Sequence, residues 1–299
     1  MDDGSRVRLP GDPLLTTLLD LDEALGPETT LLIGGGYGLY LKQHYLAEHT
    51  GVRTLFTREH LPEARTTNDI DVILRAEIVT DSESMKSIRS ALDALGCHVV
   101  ETARYTQFVR PMPQGQVKVD LLAAPLGAFA ERVSKDARRV KPRPSVKLHA
   151  SKLEEALAVD RYALRIPVAG SLSSGAEYRT EVLVPQAFSY LLMKLFAFRD
   201  RMYDEDRSLG QHHAMDIYRI VGMLTREEDA HVRRLSAEYA EHPTVSEARV
   251  IAVDHFISPD GIGRLRIREH PLCTQVLDLD RFASEVVMIL GDSGGTRPA

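Results

Sequence analysis

The pattern of apolar and polar positions predicts helix, strand and helix in the first fifty residues. Leucines recur at helical spacing with acids between them over residues 13–25, which predicts an amphipathic helix. A short apolar run at residues 30–33 stops at three glycines, which predicts a buried strand that enters a tight turn. Helical spacing resumes over residues 37–49, and a polar loop with at most one short element is expected over residues 50–68.

Strands dominate the next part of the pattern. Residues 69–75 alternate β-branched and apolar side chains after two acids, which is typical of a strand. A helix is expected over residues 81–95, with Asp81 or Ser82 as its cap. Further strands are predicted over residues 97–101, 105–110, 116–123, 161–168 and 178–184. The last two of these flank a turn rich in glycine and serine and predict a hairpin.

From Pro185 onward the pattern becomes helical. Helices are predicted over residues 186–201, 212–224, 226–240, 244–257 and 278–290. We therefore predict an α/β (α+β) fold, in which a mixed sheet with flanking helices is followed by a helical C-terminal domain. The predicted boundaries are a first domain over residues 1–150, a mostly helical domain with a preceding β-hairpin over 151–290, and a disordered tail over 291–299.

Composition narrows the class of protein. With 43% hydrophobic and 27% charged residues in 299, the chain is expected to form a sizeable core, and its net charge of -6 argues against a generally basic surface. Cys97 and Cys273 belong to no Cys/His cluster, so neither a zinc site nor a disulfide scaffold is expected. Because the sequence shows no apolar leader region and no apolar run of ~20 residues, we expect a soluble cytoplasmic protein without a membrane span.

One stretch is strongly basic in this acidic chain. Its eight basic residues are Arg132, Lys135, Arg138, Arg139, Lys141, Arg143, Lys147 and Lys152. Such a cluster could contact the phosphates of an RNA backbone. It could equally form a solvated loop or helix face, and the sequence leaves both interpretations open.

Three acids are candidate metal ligands. Asp69 and Asp71 stand two residues apart at the start of a predicted strand, so their side chains point to the same face. Two neighbouring carboxylates repel each other unless a cation offsets their charge, and Mg²⁺ prefers one or two carboxylates together with substrate phosphates. Asp120 lies in a second, apolar strand, where an acid is costly unless it is paired or binds a metal.

The order of the motifs resembles the DNA polymerase β-like nucleotidyltransferase superfamily, and more closely its AbiEii-type branch, the toxin side of bacterial abortive-infection and toxin–antitoxin pairs. The motifs are Gly34-Gly35, then Arg65-Thr66-Thr67-Asn68-Asp69-Ile70-Asp71, then Asp120, then the helix from Leu191 to Arg201, then Ala214-Met215-Asp216-Ile217-Tyr218. The resemblance spans residues 30–224. It departs from the family in a longer gap between Gly35 and Asp69, and in His212-His213, which stand where the family often has a Lys-Asp pair.

The resemblance implies a site and a reaction. A hydroxyl would attack the α-phosphate of a nucleoside triphosphate and release pyrophosphate, with two Mg²⁺ ions held by Asp69, Asp71 and Asp120. The implied nucleotide-binding residues are Gly34, Gly35, Arg65, Thr67, Lys194, Arg201 and Asp216. A side chain at either glycine would block the triphosphate, and the backbone N–H groups of this turn suit an anion. Lys194 is also assigned a catalytic role, and Asp216 could orient Lys194 or Arg201, or act in catalysis. We interpret His212 and His213 as surface or substrate-side polar residues.

The implied function is magnesium-dependent transfer of a nucleoside monophosphate to an acceptor hydroxyl. A tRNA 3′ end, a protein or a small molecule are the candidate acceptors, and a cognate antitoxin is the implied partner. In this interpretation residues 1–150 form the nucleotidyltransferase catalytic domain. Two alternatives stay open: a non-catalytic nucleotide-binding or interaction module with the same fold, and an antibiotic-modifying nucleotidyltransferase.

Overall fold

A computed structural model describes residues 6–49, 51–134, 136–273 and 276–291 of the chain. The chain divides into two compact units. The first contains the described parts of Met1–Glu48, Thr66–Glu154 and Ala163–Pro185, and the second those of His49–Arg65, Glu155–Tyr162 and Gln186–Ala299. The predicted tail beyond residue 291 and the basic residue Lys135 lie outside the described residues.

A mixed sheet forms the centre of the first unit. Its strands are β1 (Asp69–Leu74), β2 (His98–Val99), β3 (Gln107–Met112), β4 (Gly115–Ala123), β5 (Arg139–Val140) and β6 (Ala150–Lys152). Strand β4 pairs parallel with β1 and antiparallel with β3. The last residues of β4 pair parallel with β6, which in turn pairs antiparallel with β5. Val117, Val119 and Leu121 alternate with polar positions along β4 and are buried, so the strand has one core face.

The helices of the first unit begin at clear capping residues. They are α1 (Pro13–Leu25), α2 (Gly35–Glu48), α3 (Ala76–Thr80) and α4 (Ser82–Ala94). The side chain of Asp12 caps α1 by accepting a hydrogen bond from the N–H of Leu14, and Asp81 caps α4 in the same way through Ser84. The apolar side of α1 buries its leucines, which explains the helical spacing in the sequence.

The hairpin of β7 (Leu164–Ser171) and β8 (Glu177–Val184) belongs to the first unit. Residues 31–33 connect it to the sheet, because the N–H of Ile33 donates to Leu183 O at 2.8 Å and the N–H of Ile73 donates to Leu32 O at 2.8 Å. The predicted strand over residues 30–33 is therefore an extended segment with one bridge to β8 and one to β1. This pairing explains why the hairpin groups with the sheet, although the predicted boundary at residue 150 assigns it to the C-terminal domain.

The second unit is helical. Its helices are α5 (Ala187–Arg201), α6 (Arg207–Gly222), α7 (Arg226–Glu238), α8 (Pro243–Ala252), α9 (Ile262–Arg268) and α10 (Leu279–Leu290). Residues 49–65 belong to this unit as well. Phe56 explains that membership: its N–H donates to Gly222 O at 3.0 Å, and its ring is buried against that of Tyr218, with 5.1 Å between the ring centroids. Every helix among the described residues is too short or too polar to cross a membrane.

The structure confirms the predicted mixed sheet with flanking helices and the helical C-terminal region. The elements that were not predicted are short, namely α3, β5, β6 and α9, and the strand predicted over residues 97–101 is reduced to the two residues of β2. Strands β5 and β6 lie within the basic stretch, where charge obscures the alternation that marks a strand. The predicted helix over residues 244–257 ends as an α-helix at Ala252 and continues as a wider π-helical turn over Val253–Ile257.

Candidate active site

The three predicted acids share one face of the sheet. Asp71 is the register partner of Asp120 across the parallel pair β1 and β4, and Asp69 lies two residues before Asp71 on β1. Side chains at such positions project to the same side. Ile70, between the two acids, is fully buried on the opposite face. The strand register thus brings together Asp69, Asp71 and Asp120, and we call these three residues the acid row.

Asp120 is the member of the acid row with the most perturbed environment. Its carboxylate accepts a hydrogen bond of 2.6 Å from the Gln107 amide on β3. Burial raises the pKa of Asp120, the bond from Gln107 opposes that rise, and the charge of Asp69 adds to it. A positive ion at the acid row would offset this accumulated negative charge. Gln107 itself was not predicted, since an isolated glutamine in a strand carries no sequence signal.

Gly35 lies so close to Asp71 that the Asp71 carboxylate occupies the space a Cβ at this position would need. A Cβ built on Gly35 would lie 1.6 Å from Oδ2 of Asp71, and the residue has a φ of +59°. A Cβ on Gly34 would lie 2.8 Å from a side-chain carbon of Ile73. The space beside both glycines is therefore filled by β1, and the Asp71 carboxylate lies at the first residue of α2, where a helix favours negative charge.

This geometry corrects one predicted role. The N–H of Gly34 was expected to bind a phosphate, but it donates to the carbonyl oxygen of Asp71 at 2.8 Å. It is engaged in backbone pairing, because the residues before α2 are part of the sheet. The two glycines thus allow α2 to pack close to β1.

Replacing Gly35 by alanine is expected to lower the free energy of unfolding by more than ~1 kcal/mol, because the new Cβ meets Asp71 and a φ of +59° is unfavourable for alanine. Urea unfolding of the variant measures the change. Gly51→Ala is the matched control, since a Cβ there meets nothing within 4 Å. Equal stability of the two variants would contradict the close contact of α2 with Asp71.

The acid row suits a hard divalent cation in its donor chemistry, but it is not a complete protein site. Within the described ranges, no group of three or more His, Cys, Asp or Glu side chains is arranged so that it could hold a metal ion. Asp120 is turned to Gln107, and Asp71 lies against Gly35. Mg²⁺ commonly takes one or two carboxylates and completes its shell with phosphate oxygens and water. The residues therefore fit a cation that arrives with a phosphorylated substrate.

A second charged cluster lies in the helical unit. The carboxylate of Asp216 on α6 is 2.8 Å from the Lys194 ammonium, 3.2 Å from the Arg219 guanidinium and 3.6 Å from that of Arg65. Asp216 and Arg219 have no exposed surface, and Lys194 is 7% exposed. Asp216 therefore pairs most closely with Lys194, and its role in orienting that residue or in catalysis stays a prediction. Arg201, the other cation considered for that role, is exposed and donates to Asp204 at 3.1 Å.

The cations hold Asp216 in its charged form. Burial on its own would raise the pKa of Asp216, but Lys194, Arg219 and Arg65 together lower it below its usual range. Burial lowers the pKa of Arg219, and the neighbouring Asp216 carboxylate opposes that change. The cluster is consequently a buried ionic group whose members depend on one another.

His212 and His213 are each partly buried, and whether they face a substrate stays a prediction. Nδ1 of His212 is 2.9 Å from Nε2 of His270, which is itself buried. Burial and the charge of Lys194 lower the pKa of His213 to about 3. Burial and His212 likewise lower the pKa of His270 to about 4, so these rings are neutral at pH 7. His270 was not predicted, because 58 residues separate it from its partner.

The predicted site residues are thus divided between the two units. The acid row, Gly34, Gly35 and Thr67 belong to the first, where the Thr67 hydroxyl accepts a hydrogen bond of 3.4 Å from the N–H of Asp69. The other predicted nucleotide-binding residues, Arg65, Lys194, Arg201 and Asp216, belong to the second. That both groups bind one nucleotide stays a prediction.

The basic stretch over residues 131–152 makes local ion pairs. Arg139 and Lys141 lie 3.1 Å and 2.8 Å from the Asp136 carboxylate, and the hydrogen bond from Lys141 is the main reason that the pKa of Asp136 is lowered. Lys152 lies 3.9 Å from Glu154. These contacts pair three of the basic residues with acids within or next to the stretch. The alternative role, contact with an RNA backbone, stays a prediction.

Comparison with known proteins adds little to this picture. No protein-family model and no curated protein matches the sequence. Among solved structures, that of the antibiotic-resistance factor ANT(2'')-Ia is similar with a TM-score of 0.34 and 12% sequence identity, over 77% of this chain and 96% of that chain. A likeness of this strength does not assign a fold or an activity. The nucleotidyltransferase hypothesis therefore depends on the motifs and on the geometry of the acid row.

Proposed function

We propose that this protein is a magnesium-dependent nucleotidyltransferase that moves a nucleoside monophosphate from a nucleoside triphosphate to an acceptor hydroxyl. The observation that carries the proposal is the acid row: three carboxylates on one face of adjacent parallel strands, next to the glycine turn that opens α2. Asp69, Asp71 and Asp120 would hold the cation. A bound divalent cation supplies a lower pKa for the acceptor hydroxyl and offsets charge on the phosphate oxygens.

The proposed reaction forms one bond at the α-phosphorus and breaks another, and Asp120 and Gln107 have separate roles in it. The acceptor oxygen forms a bond to the α-phosphorus, and the bond from that phosphorus to the pyrophosphate oxygen breaks. The hydroxyl proton passes to solvent water, and Asp120 would help to hold the cation that lowers the pKa of that hydroxyl. Gln107 keeps the Asp120 side chain in place through its 2.6 Å hydrogen bond.

The acceptor and the biological role are further parts of the proposal, supported by the resemblance to the AbiEii-type branch alone. By that resemblance the acceptor is a tRNA 3′ end, and the protein acts as the toxin of a toxin–antitoxin or abortive-infection system with a cognate antitoxin. The two alternatives predict different acceptors. An antibiotic-modifying enzyme would label a small hydroxylated molecule, and a non-catalytic module would bind nucleotide and label nothing.

The test is incubation of the full chain with each α-labelled nucleoside triphosphate and magnesium. Total tRNA, total protein and a panel of aminoglycosides serve as separate acceptors. We expect label on the tRNA fraction, and none when EDTA removes the metal, because the carboxylates alone cannot offset the charge of the triphosphate. Label on the aminoglycosides instead would support the antibiotic-modifying alternative. Absence of label from all three acceptors would refute transferase activity.

A further inference from the structure

A pocket of about 450 Å³ lies in the first unit, beside the segment that leads into strand β1. Its wall includes Thr66 and Thr67, which directly precede the strand of Asp69 and Asp71. Another part of the wall is α2, whose first residue, Gly35, contacts Asp71. The pocket is therefore bounded by the segment that leads into β1 and by the helix whose first residue packs against Asp71.

Aromatic rings line the α2 side of the pocket. Tyr37, Tyr40 and His44 follow one another on one face of the helix and span ~10 Å along it. The rings of Tyr37 and Tyr40 are stacked with 6.0 Å between their centroids and 14° between their planes. The His44 ring lies 4.4 Å from that of Tyr40. We call these three residues the ring row.

Asp12 holds the first ring of the ring row, Tyr37, in place. The hydroxyl of Tyr37 donates to one Asp12 oxygen at 2.9 Å, while the other oxygen accepts from the N–H of Leu14 at the start of α1. Burial and the charge of Asp12 raise the pKa of Tyr37 well above its usual value, so its hydroxyl stays protonated and keeps this bond. Tyr37 is buried, and Tyr40 is half-buried, so Tyr40 offers the accessible ring surface.

The chemistry of the wall selects a planar aromatic ligand that carries phosphate. Ring faces in a row stack well on nucleobases, and such stacking tolerates any base because each has a π-face. Arg8 is exposed at the pocket and adds positive charge. The two threonines add hydroxyl groups on the side of the acids.

We propose that this pocket binds a nucleobase, with Tyr40 as the principal stacking residue. The proposal rests on the nucleotidyltransferase function, since that function requires a nucleotide at the acid row. The base could belong to the nucleoside triphosphate or to the 3′-terminal nucleotide of an RNA acceptor. Both present the same planar ring followed by phosphate.

Calorimetric titration of the full chain separates these sources. The probes are ATP, GTP, CTP and UTP, each alone, a single-stranded RNA hexamer, and inorganic tripolyphosphate, all in magnesium buffer. Tyr40→Ala is expected to weaken binding of the base-bearing ligand by about 5- to 100-fold, because a base–aromatic stack is worth about 1–3 kcal/mol. Tyr40→Phe should bind like the wild type, since the ring and not the hydroxyl makes the stack.

Three controls make the result specific. Tripolyphosphate affinity should not change in any variant, because it has no base. Tyr203→Ala removes a tyrosine that is 79% exposed in the other unit and should leave all affinities unchanged. Tyr40→Leu keeps apolar volume and replaces Tyr40→Ala if that variant does not fold, with the same expected loss.

The outcomes are separable from those of the proposed function. A loss in the triphosphate titrations alone places the base of the triphosphate in the pocket, and a loss with the hexamer alone places the acceptor base there. Unchanged affinity for all base-bearing probes, or no binding of them by the wild type, overturns the proposal. Binding needs no turnover, so a Tyr40 effect without label transfer would refute the transferase function and leave the nucleobase pocket standing.

Discussion

Replacement of Asp71 by asparagine is expected to lower nucleotide transfer by at least ~10³-fold, since metal-assisted charge stabilisation contributes several kcal/mol and each 1.36 kcal/mol is tenfold in rate. The amide has the size of the carboxylate, so the packing of Asp71 against Gly35 is kept. What changes is the charge at the centre of the acid row, between Asp69 on the same strand and Asp120 across the strand pair. The loss therefore reports on chemistry rather than on folding.

Initial rates of label transfer measure this effect, with the thermal unfolding midpoint as a check on the fold. Asp93→Asn is the control, because Asp93 is an exposed acid on α4 whose partner is Arg89, 2.7 Å away. The control should transfer label at the wild-type rate. A rate for Asp71→Asn within about tenfold of the wild type would mean that the acid row is not the reacting site, since tenfold is only about 1.4 kcal/mol.

Asp216→Ala is expected to lower the free energy of unfolding by about 3–5 kcal/mol, the usual cost of removing one partner of a buried ion pair. The variant would leave Lys194 and Arg219 buried without the carboxylate that lies 2.8 Å and 3.2 Å from them. The effect should weaken in acid. Cations lower the pKa of Asp216 in the folded state, so its contribution is present above pH ~4 and is lost as the pH falls toward the folded-state pKa.

Urea unfolding at pH 7 and at pH 3 measures both parts of this prediction. Asp204→Ala is the matched control, because Asp204 pairs with the exposed Arg201 at 3.1 Å, and exposed pairs contribute about 0–1 kcal/mol. A loss at pH 7 no greater for Asp216→Ala than for the control would contradict a buried ionic cluster. The comparison holds the residue type and the substitution constant, so burial is the main variable.

The acid row shows how far local pattern can predict a site. Asp69 and Asp71 could be placed on one face from their spacing alone, because side chains alternate along a strand. Asp120 could be marked as unusual because it is a carboxylate among apolar residues. Its position opposite Asp71 could not be predicted, since the register of β1 and β4 is set by pairing over about fifty residues of intervening chain.

Other contacts of the predicted site residues could not be predicted from the neighbouring sequence. Gln107 reaches Asp120 only because β3 pairs antiparallel with β4. His270 reaches His212 from outside the predicted helices. The role of Gly35 also changed, from a gap for phosphate to a gap for the Asp71 carboxylate, because the approach of α2 to β1 is a matter of packing.

The sequence by itself determined the elements and the chemical types: amphipathic helices, alternating strands, capping residues, and the acids that suit a divalent cation. These follow from interactions within a few residues, such as the helical spacing of the α1 leucines. The tertiary structure alone decided which groups meet. The burial of Asp216, the pKa of Asp120 and the ring row around its pocket all depend on contacts between distant segments, and solvent exclusion there sets the strength of each charge.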